Sequence, residues 1–181
     1  MKKILLILAD GFEEIEALGT ADVLRRLGMA VTLAGLETEE VTGAHGMKIS
    51  ADVRLAAVSN DLFDAVLLPG GMPGAANLDK SCEVDKVLQK AAASGKIIGA
   101  ICAAPFILAK RGLLDGKKFT MYPGFESELH GLQYSDAPAL TDGNIVTGKG
   151  PGAVFAFAGA VAGALGFSQE CEKLYRGMFI D

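Results

Sequence analysis

Four runs along the chain, Ile4–Leu8, Ala30–Ala34, Ala65–Leu68 and Ile97–Ile101, are apolar almost without a break. Alternation of apolar and polar residues would mark a strand with one wet face, whereas continuous runs mark parallel strands covered on both faces. Between them the apolar spacing is helical over Glu13–Leu27, Glu83–Ala93 and Ala103–Lys110. Gly28, Gly95 and Gly112 follow these three helices, each where a left-handed cap is expected. Two further helices are predicted near the end, an apolar one over Ala153–Leu165 and a polar one from Ser168 to about Tyr175. Residues 115–147 are interrupted by Pro123, Pro138 and the turn Asp142-Gly143-Asn144, and read as short strands and loops. Strand and helix alternate, which predicts an α/β fold: a doubly wound, mostly parallel sheet with helices on both faces.

Length and composition narrow this picture. The chain has 181 residues with no linker, low-complexity tract or internal repeat, so residues 1–181 read as a single domain. The opening MKKILLILADGFEE places two lysines before an apolar run, but the run is short and meets acidic residues where a secretion signal would have a cleavage site. The most apolar stretch, Ala153–Phe167, falls short of the roughly 20 residues needed to span a bilayer. A net charge of −5 without a basic cluster argues against nucleic acid and membrane partners and leaves a small molecule or a protein. Cys82, Cys102 and Cys171 are far apart and form no CxxC, which suggests neither a disulfide framework nor a zinc site and fits a reducing cytoplasm. GxGxxG, GK[ST] and HExxH patterns are absent, so no cofactor and no metal is expected.

The candidate chemistry begins at Cys102, where the fourth strand turns into a helix amid Gly99, Ala100, Ala103 and Ala104. In doubly wound sheets, ligands bind at the carboxyl ends of the strands, and such small neighbours allow the sharp bend of a nucleophile elbow. Cysteine is often simply buried packing, but the strand-end position favours a reactive thiol. A free thiol with a pKa near 8.5 is only about 3% ionised at neutral pH; a helix N-terminus is expected to stabilise the thiolate, and a drop to about 6 would make the group mostly thiolate. On a helical wheel Glu16 falls with Ala17, Thr20, Val23, Leu24 and Leu27, toward the core, while Glu14, Asp22, Arg25 and Arg26 share the opposite face. An inward carboxyl must find a partner or become neutral. Because its helix follows the first strand, a protonated Glu16 lies at the same sheet edge as Cys102 and could donate a hydrogen bond to the thiolate. In LPGGMPGAANL, the amide of Gly71 together with that of Ala103 could form an oxyanion hole, although a plain strand-to-helix turn would use the same glycines. Lys149-Gly150-Pro151-Gly152 admits the same two readings, and His45 and His130 sit in polar, glycine-containing stretches typical of solvated surface.

Taken together, GFEEIEA, LPGG and AICAAP resemble the ThiJ/PfpI superfamily, and more closely its DJ-one branch. The similarity extends to ADVLRRLGMAVTLAGL and to the GPG before the long apolar helix. The resemblance implies a flavodoxin-like fold, a homodimer, a cysteine nucleophile at an elbow matching Cys102, a protonated glutamate matching Glu16, and a backbone donor at Gly71. It implies glyoxalase III or deglycase chemistry on a small reactive carbonyl, serving stress protection. The alternative is a redox-sensing stress-response protein whose Cys102 becomes a sulfinate. Several members carry a histidine where this chain has Tyr122 in KFTMYPGFE, and a tyrosine with a pKa near 10 is a poor base. The peptidase branch has a histidine directly after its cysteine, where this chain has Ala103, so amidase or peptidase activity would need His45 or His130, from a second subunit.

Overall fold

In the computed structural model, which describes residues 1–125, 129 and 131–180, the first apolar run becomes strand β1 (Lys3–Leu8). Ile4, Leu6 and Leu8 belong to the core on one face of the sheet and Leu5 and Ile7 to the core on the other, which is why the run has no polar position to spare. Helix α1 (Glu14–Arg26) follows, capped by the Glu13 side chain and ending in two arginines that complement its dipole. Strand β2 (Ala30–Gly35) comes next, then a hairpin of β3 (Glu40–Thr42) and β4 (Lys48–Ser50), the short edge strand β5 (Val53–Arg54) and a single helical turn, α2 (Leu55–Val58). The chain continues through β6 (Ala65–Leu68), α3 (Gly74–Asp79), α4 (Cys82–Ala93), β7 (Ile97–Ile101) and α5 (Pro105–Lys110). Short strands β8 (Lys118–Phe119) and β9 (Gln133–Tyr134) precede β10 (Ala139–Asp142), β11 (Ile145–Gly148), α6 (Val154–Ala164) and α7 (Ser168–Gly177).

The main sheet has the order β10-β11-β7-β6-β1-β2-β5, parallel except for β10 at one edge. Leu6 lies at its centre, paired with Leu33 on one side and Leu67 on the other. Helices α1 and α6 cover one face through Ala17, Leu24, Phe157 and Val161, and α4 and α5 cover the other through Val84, Leu88, Ile107 and Leu108. The winding leaves β1 toward β2 and resumes on its other side at β6, so the strand order reverses between β1 and β6. That crevice carries Glu13 and the first turn of α1 on one side and Gly70–Gly71 on the other, and the next strand over, β7, ends just before Cys102.

Gly28, Gly95 and Gly112 all adopt positive φ, as expected from their places after helices. Helix α5 starts at Pro105 instead of Ala103, because Cys102 itself turns left-handed and the chain needs three residues to recover. The β3–β4 hairpin and α3 were not foreseen: both are short, and their apolar content is too sparse to set a period.

Candidate active site

Cys102 is one of two non-glycine residues with positive φ among those described, at 63°. Its N–H still donates to the Gly148 carbonyl at 2.9 Å, continuing the β7–β11 pairing, while its carbonyl accepts the Tyr122 N–H at 2.9 Å. The strand's hydrogen bonds hold one side of the residue and the following turn holds the other, so the strained conformation is enforced from both directions. The elbow expected from the sequence is therefore present. Around the thiol the backbone comes unusually close. A methyl group at Gly70 would sit 2.7 Å from Cys102 Cβ, 2.8 Å from Glu16 Oε2 and 3.0 Å from the Ala103 nitrogen. Gly71, at φ 86°, and Ala103 both direct their N–H groups at the Cys102 sulfur.

Glu16 enters from the first turn of α1. The Glu13 N–H donates to the Gly70 carbonyl at 3.0 Å and the Glu13 Oε2 accepts the Glu16 N–H at 2.7 Å, which ties the helix start to the end of β6. Glu16 is 1% exposed, and its Oε2 accepts the Gly70 N–H at 2.7 Å. Its Oε1 has no conventional hydrogen-bond partner, and the carboxyl group faces the Cys102 thiol. Burial, reinforced by the nearby Glu13 charge, raises Glu16 to about 7, against the opposing hydrogen bonds of Cys102 and Gly70. Burial is also the largest influence on Cys102, followed by the charge and hydrogen bond of Glu16. Together they push the thiol up to about 12 against the Ala103 and Gly71 N–H groups. This corrects the expectation of a lowered thiol, which counted the donors but neither the loss of water nor the adjacent carboxylate. Above about pH 7 thiol and carboxyl thus hold one proton between them, and below it two.

Tyr122 reaches Cys102 through its backbone. Its ring is about half exposed, stands edge-on to Phe125 and lies over Gly150, where a Cβ would touch it at 3.4 Å. Tyr122, Pro123, Pro138, Lys149 and Pro151 line an open groove of about 730 Å³ beside the thiol turn, which absorbs the Lys149–Gly152 stretch into its wall. Glu14, assigned to the solvent face of α1, is in fact 3% exposed. The turn of the β3–β4 hairpin folds over it, giving it the N–H of His45 at 2.8 Å and the His45 ring Nδ1 at 2.8 Å. A helical wheel counts only the helix's own faces and misses a loop laid across its first turn. His45 is exposed as expected, and His130 lies outside the described residues. Cys82 is exposed and Cys171 buried, both as free thiols. Gly70 and Glu13 were missed as site residues. The paired glycines of LPGG pointed to the first, while nothing short of the tertiary contact marked the second.

A mostly parallel α/β sheet that holds a strained cysteine at a strand-to-helix turn, against a buried carboxyl from the neighbouring crossover, defines the flavodoxin-like class of cysteine-elbow proteins. The family model described as "DJ-1/PfpI family" matches residues 2–164, and the chain belongs to that family. It is 40% identical to protein dj-1beta of Drosophila melanogaster over 99% of this chain and 97% of that one. It is also 36% identical to a glutathione-independent glyoxalase of Caenorhabditis elegans, over 86% of this chain and 83% of the other. Among solved structures, an oxidised DJ-1 of Toxoplasma gondii superimposes with a TM-score of 0.96 at 34% identity, covering 99% of both chains. Among the described residues no helix is long and apolar enough to cross a membrane.

Proposed function

We propose that the chain is a cofactor-independent cysteine enzyme acting on 2-oxoaldehydes such as methylglyoxal, as a glyoxalase III or as a deglycase on their adducts. The observation that carries this reading is the pairing of Cys102 with the buried Glu16 carboxyl beneath the Gly71 and Ala103 N–H groups. The reactive form places the shared proton on Glu16. A neutral Glu16 no longer opposes the thiolate by its charge and can donate to it, leaving the two N–H groups to offset burial. The sulfur then adds to the aldehyde carbon, the carbonyl electron pair moves to oxygen, and the two N–H groups receive the oxyanion. Glu16 protonates that oxygen. It then moves the hydrogen of the former aldehyde carbon, as a proton, to the neighbouring carbon, while the hydroxyl proton passes from the first oxygen to the neighbouring carbonyl oxygen. One carbon is oxidised to a thioester while the other is reduced to an alcohol, so no outside oxidant or reductant is consumed. Water cleaves the C–S bond, releasing the 2-hydroxy acid and the thiol. The worm relative's designation as a glyoxalase supports this chemistry. Lactate formation from methylglyoxal tests it: wild type should exceed Cys102→Ser by orders of magnitude, and equal rates would refute the proposal.

The same donors also suit a sulfinate, which favours a redox-sensing role as the second reading. After graded peroxide, mass spectrometry should then find one two-oxygen adduct on Cys102, with Cys82 and Cys171 untouched. In either role the chain is placed in the cytoplasm as a homodimer, and light scattering at the mass of one chain, 18.8 kDa, would count against the dimer.

A further inference from the structure

Two consecutive side chains and a third from 31 residues further along the chain converge beside the loop leading into α1. Glu13 and Glu14 open the helix, and His45 sits in the β3–β4 turn. One oxygen from each carboxylate and one ring nitrogen lie within 4.8 Å of one another. Both glutamates are more than nine-tenths buried, at 7% and 3% exposure, whereas the His45 side chain faces solvent. Glu14 accepts hydrogen bonds from the His45 N–H, from the His45 ring Nδ1 and, at 3.4 Å, from the Met47 N–H. Glu13 is differently placed. Its Oε2 accepts the Glu16 N–H, and its Oε1 accepts a hydrogen bond from no described residue.

Two adjacent carboxylates taken largely out of water repel unless positive charge stands between them. The His45 ring hydrogen-bonds Glu14 directly, and the Glu13 charge acts on it only through space, which leaves the second Glu13 oxygen without a direct partner among the described residues. We propose that Glu13, Glu14 and His45 form a binding site for a divalent transition-metal ion of the zinc type. His45 Nδ1 and Glu14 Oε2 are 2.8 Å apart. A tetrahedral metal whose bonds are about 2.1 Å long separates neighbouring ligands by about 3.4 Å, so the two atoms need to open by only about 0.6 Å to admit the ion. The ion replaces the proton that these two atoms share, and Glu13 closes the third corner after a shift of at most about 1.4 Å, leaving the outer positions to water. One imidazole with two carboxylates is a mixed nitrogen and oxygen donor set. It suits zinc better than calcium or magnesium, which prefer oxygen alone. No thiol takes part, which separates this site from Cys102.

The test is a calorimetric titration of the full chain with Zn²⁺, with Cys82 and Cys102 replaced by serine so that neither accessible thiol contributes. One ion per chain should bind saturably, and His45→Ala and Glu13→Gln should each weaken it about 10- to 100-fold. A second measurement does not depend on the buried substitution: Co²⁺ should shift the ring resonances of His45 at one equivalent per chain. Absence of saturable binding, unchanged affinity in His45→Ala, or unmoved His45 resonances would overturn the site.

Discussion

Replacing Glu16 with glutamine removes one ionisable group from the most buried part of the site and leaves its shape nearly unchanged. In the folded chain burial raises this carboxyl from 4.5 to about 7. At about 1.4 kcal/mol per pH unit, a change of that size makes wild type roughly 3 kcal/mol less stable above pH 7 than below pH 4.5, counting this group alone. The sign follows from which state binds the proton. Below 4.5 both states are protonated and nothing is lost. Between 4.5 and 7 the unfolded chain ionises while the folded one cannot, so stability falls, and above 7 both are ionised and the loss is complete. At 1% exposure the carboxyl is little screened by solvent, so the full effect should be visible. The glutamine variant has no such slope, whatever constant offset it carries. Urea unfolding followed by circular dichroism at fixed protein concentration, from pH 4.5 to 8, reads the difference. With an m-value of about 2 kcal/mol/M, the gap between the two midpoints should change by about 1.5 M across that range. A gap that stays constant would mean that Glu16 is solvated or already ionised in the fold, and the proton-sharing pair with Cys102 would be lost with it.

Gly70→Ala should destabilise the chain by about 1–3 kcal/mol, because the new methyl meets Cys102, Glu16 and the Ala103 nitrogen within 3.0 Å, and iodoacetamide labelling of Cys102 should change along with the melting temperature. Cys102→Gly should be more stable than Cys102→Ala by about 1 kcal/mol in the same urea assay, since the two differ only in the Cβ that a φ of 63° disfavours. Phe157→Ala should cost about 3–5 kcal/mol: the ring is 1% exposed and fills the space above Gly99, and thermal unfolding reads the loss.

The strands were readable because the chain spends its longest apolar runs where both faces of a parallel sheet are covered. β1, β6 and β7 lie where unbroken hydrophobicity put them. Glu16 was readable for a related reason: within one helix, period alone tells which side chain turns inward. Its neighbour Glu14 shows the boundary of that reasoning. Its burial comes from a hairpin turn some 30 residues away, and no local pattern carries that distance. Gly70 lies between, since the double glycine signals a close approach without saying to what.

The thiol marks the same division. That a cysteine stands at the carboxyl end of a central strand, among residues small enough for a sharp turn, follows from the order of residues along the chain. Its protonation does not. Helix position and backbone donors favour a thiolate, whereas the water removed around Cys102 and the carboxyl brought up from α1 oppose it, and both depend on how closely distant segments pack. Local order sets which face a side chain turns to and which conformations the backbone can reach. Solvent exclusion and charge proximity arise only when segments far apart in the chain come together, and for this site they decide where the proton resides.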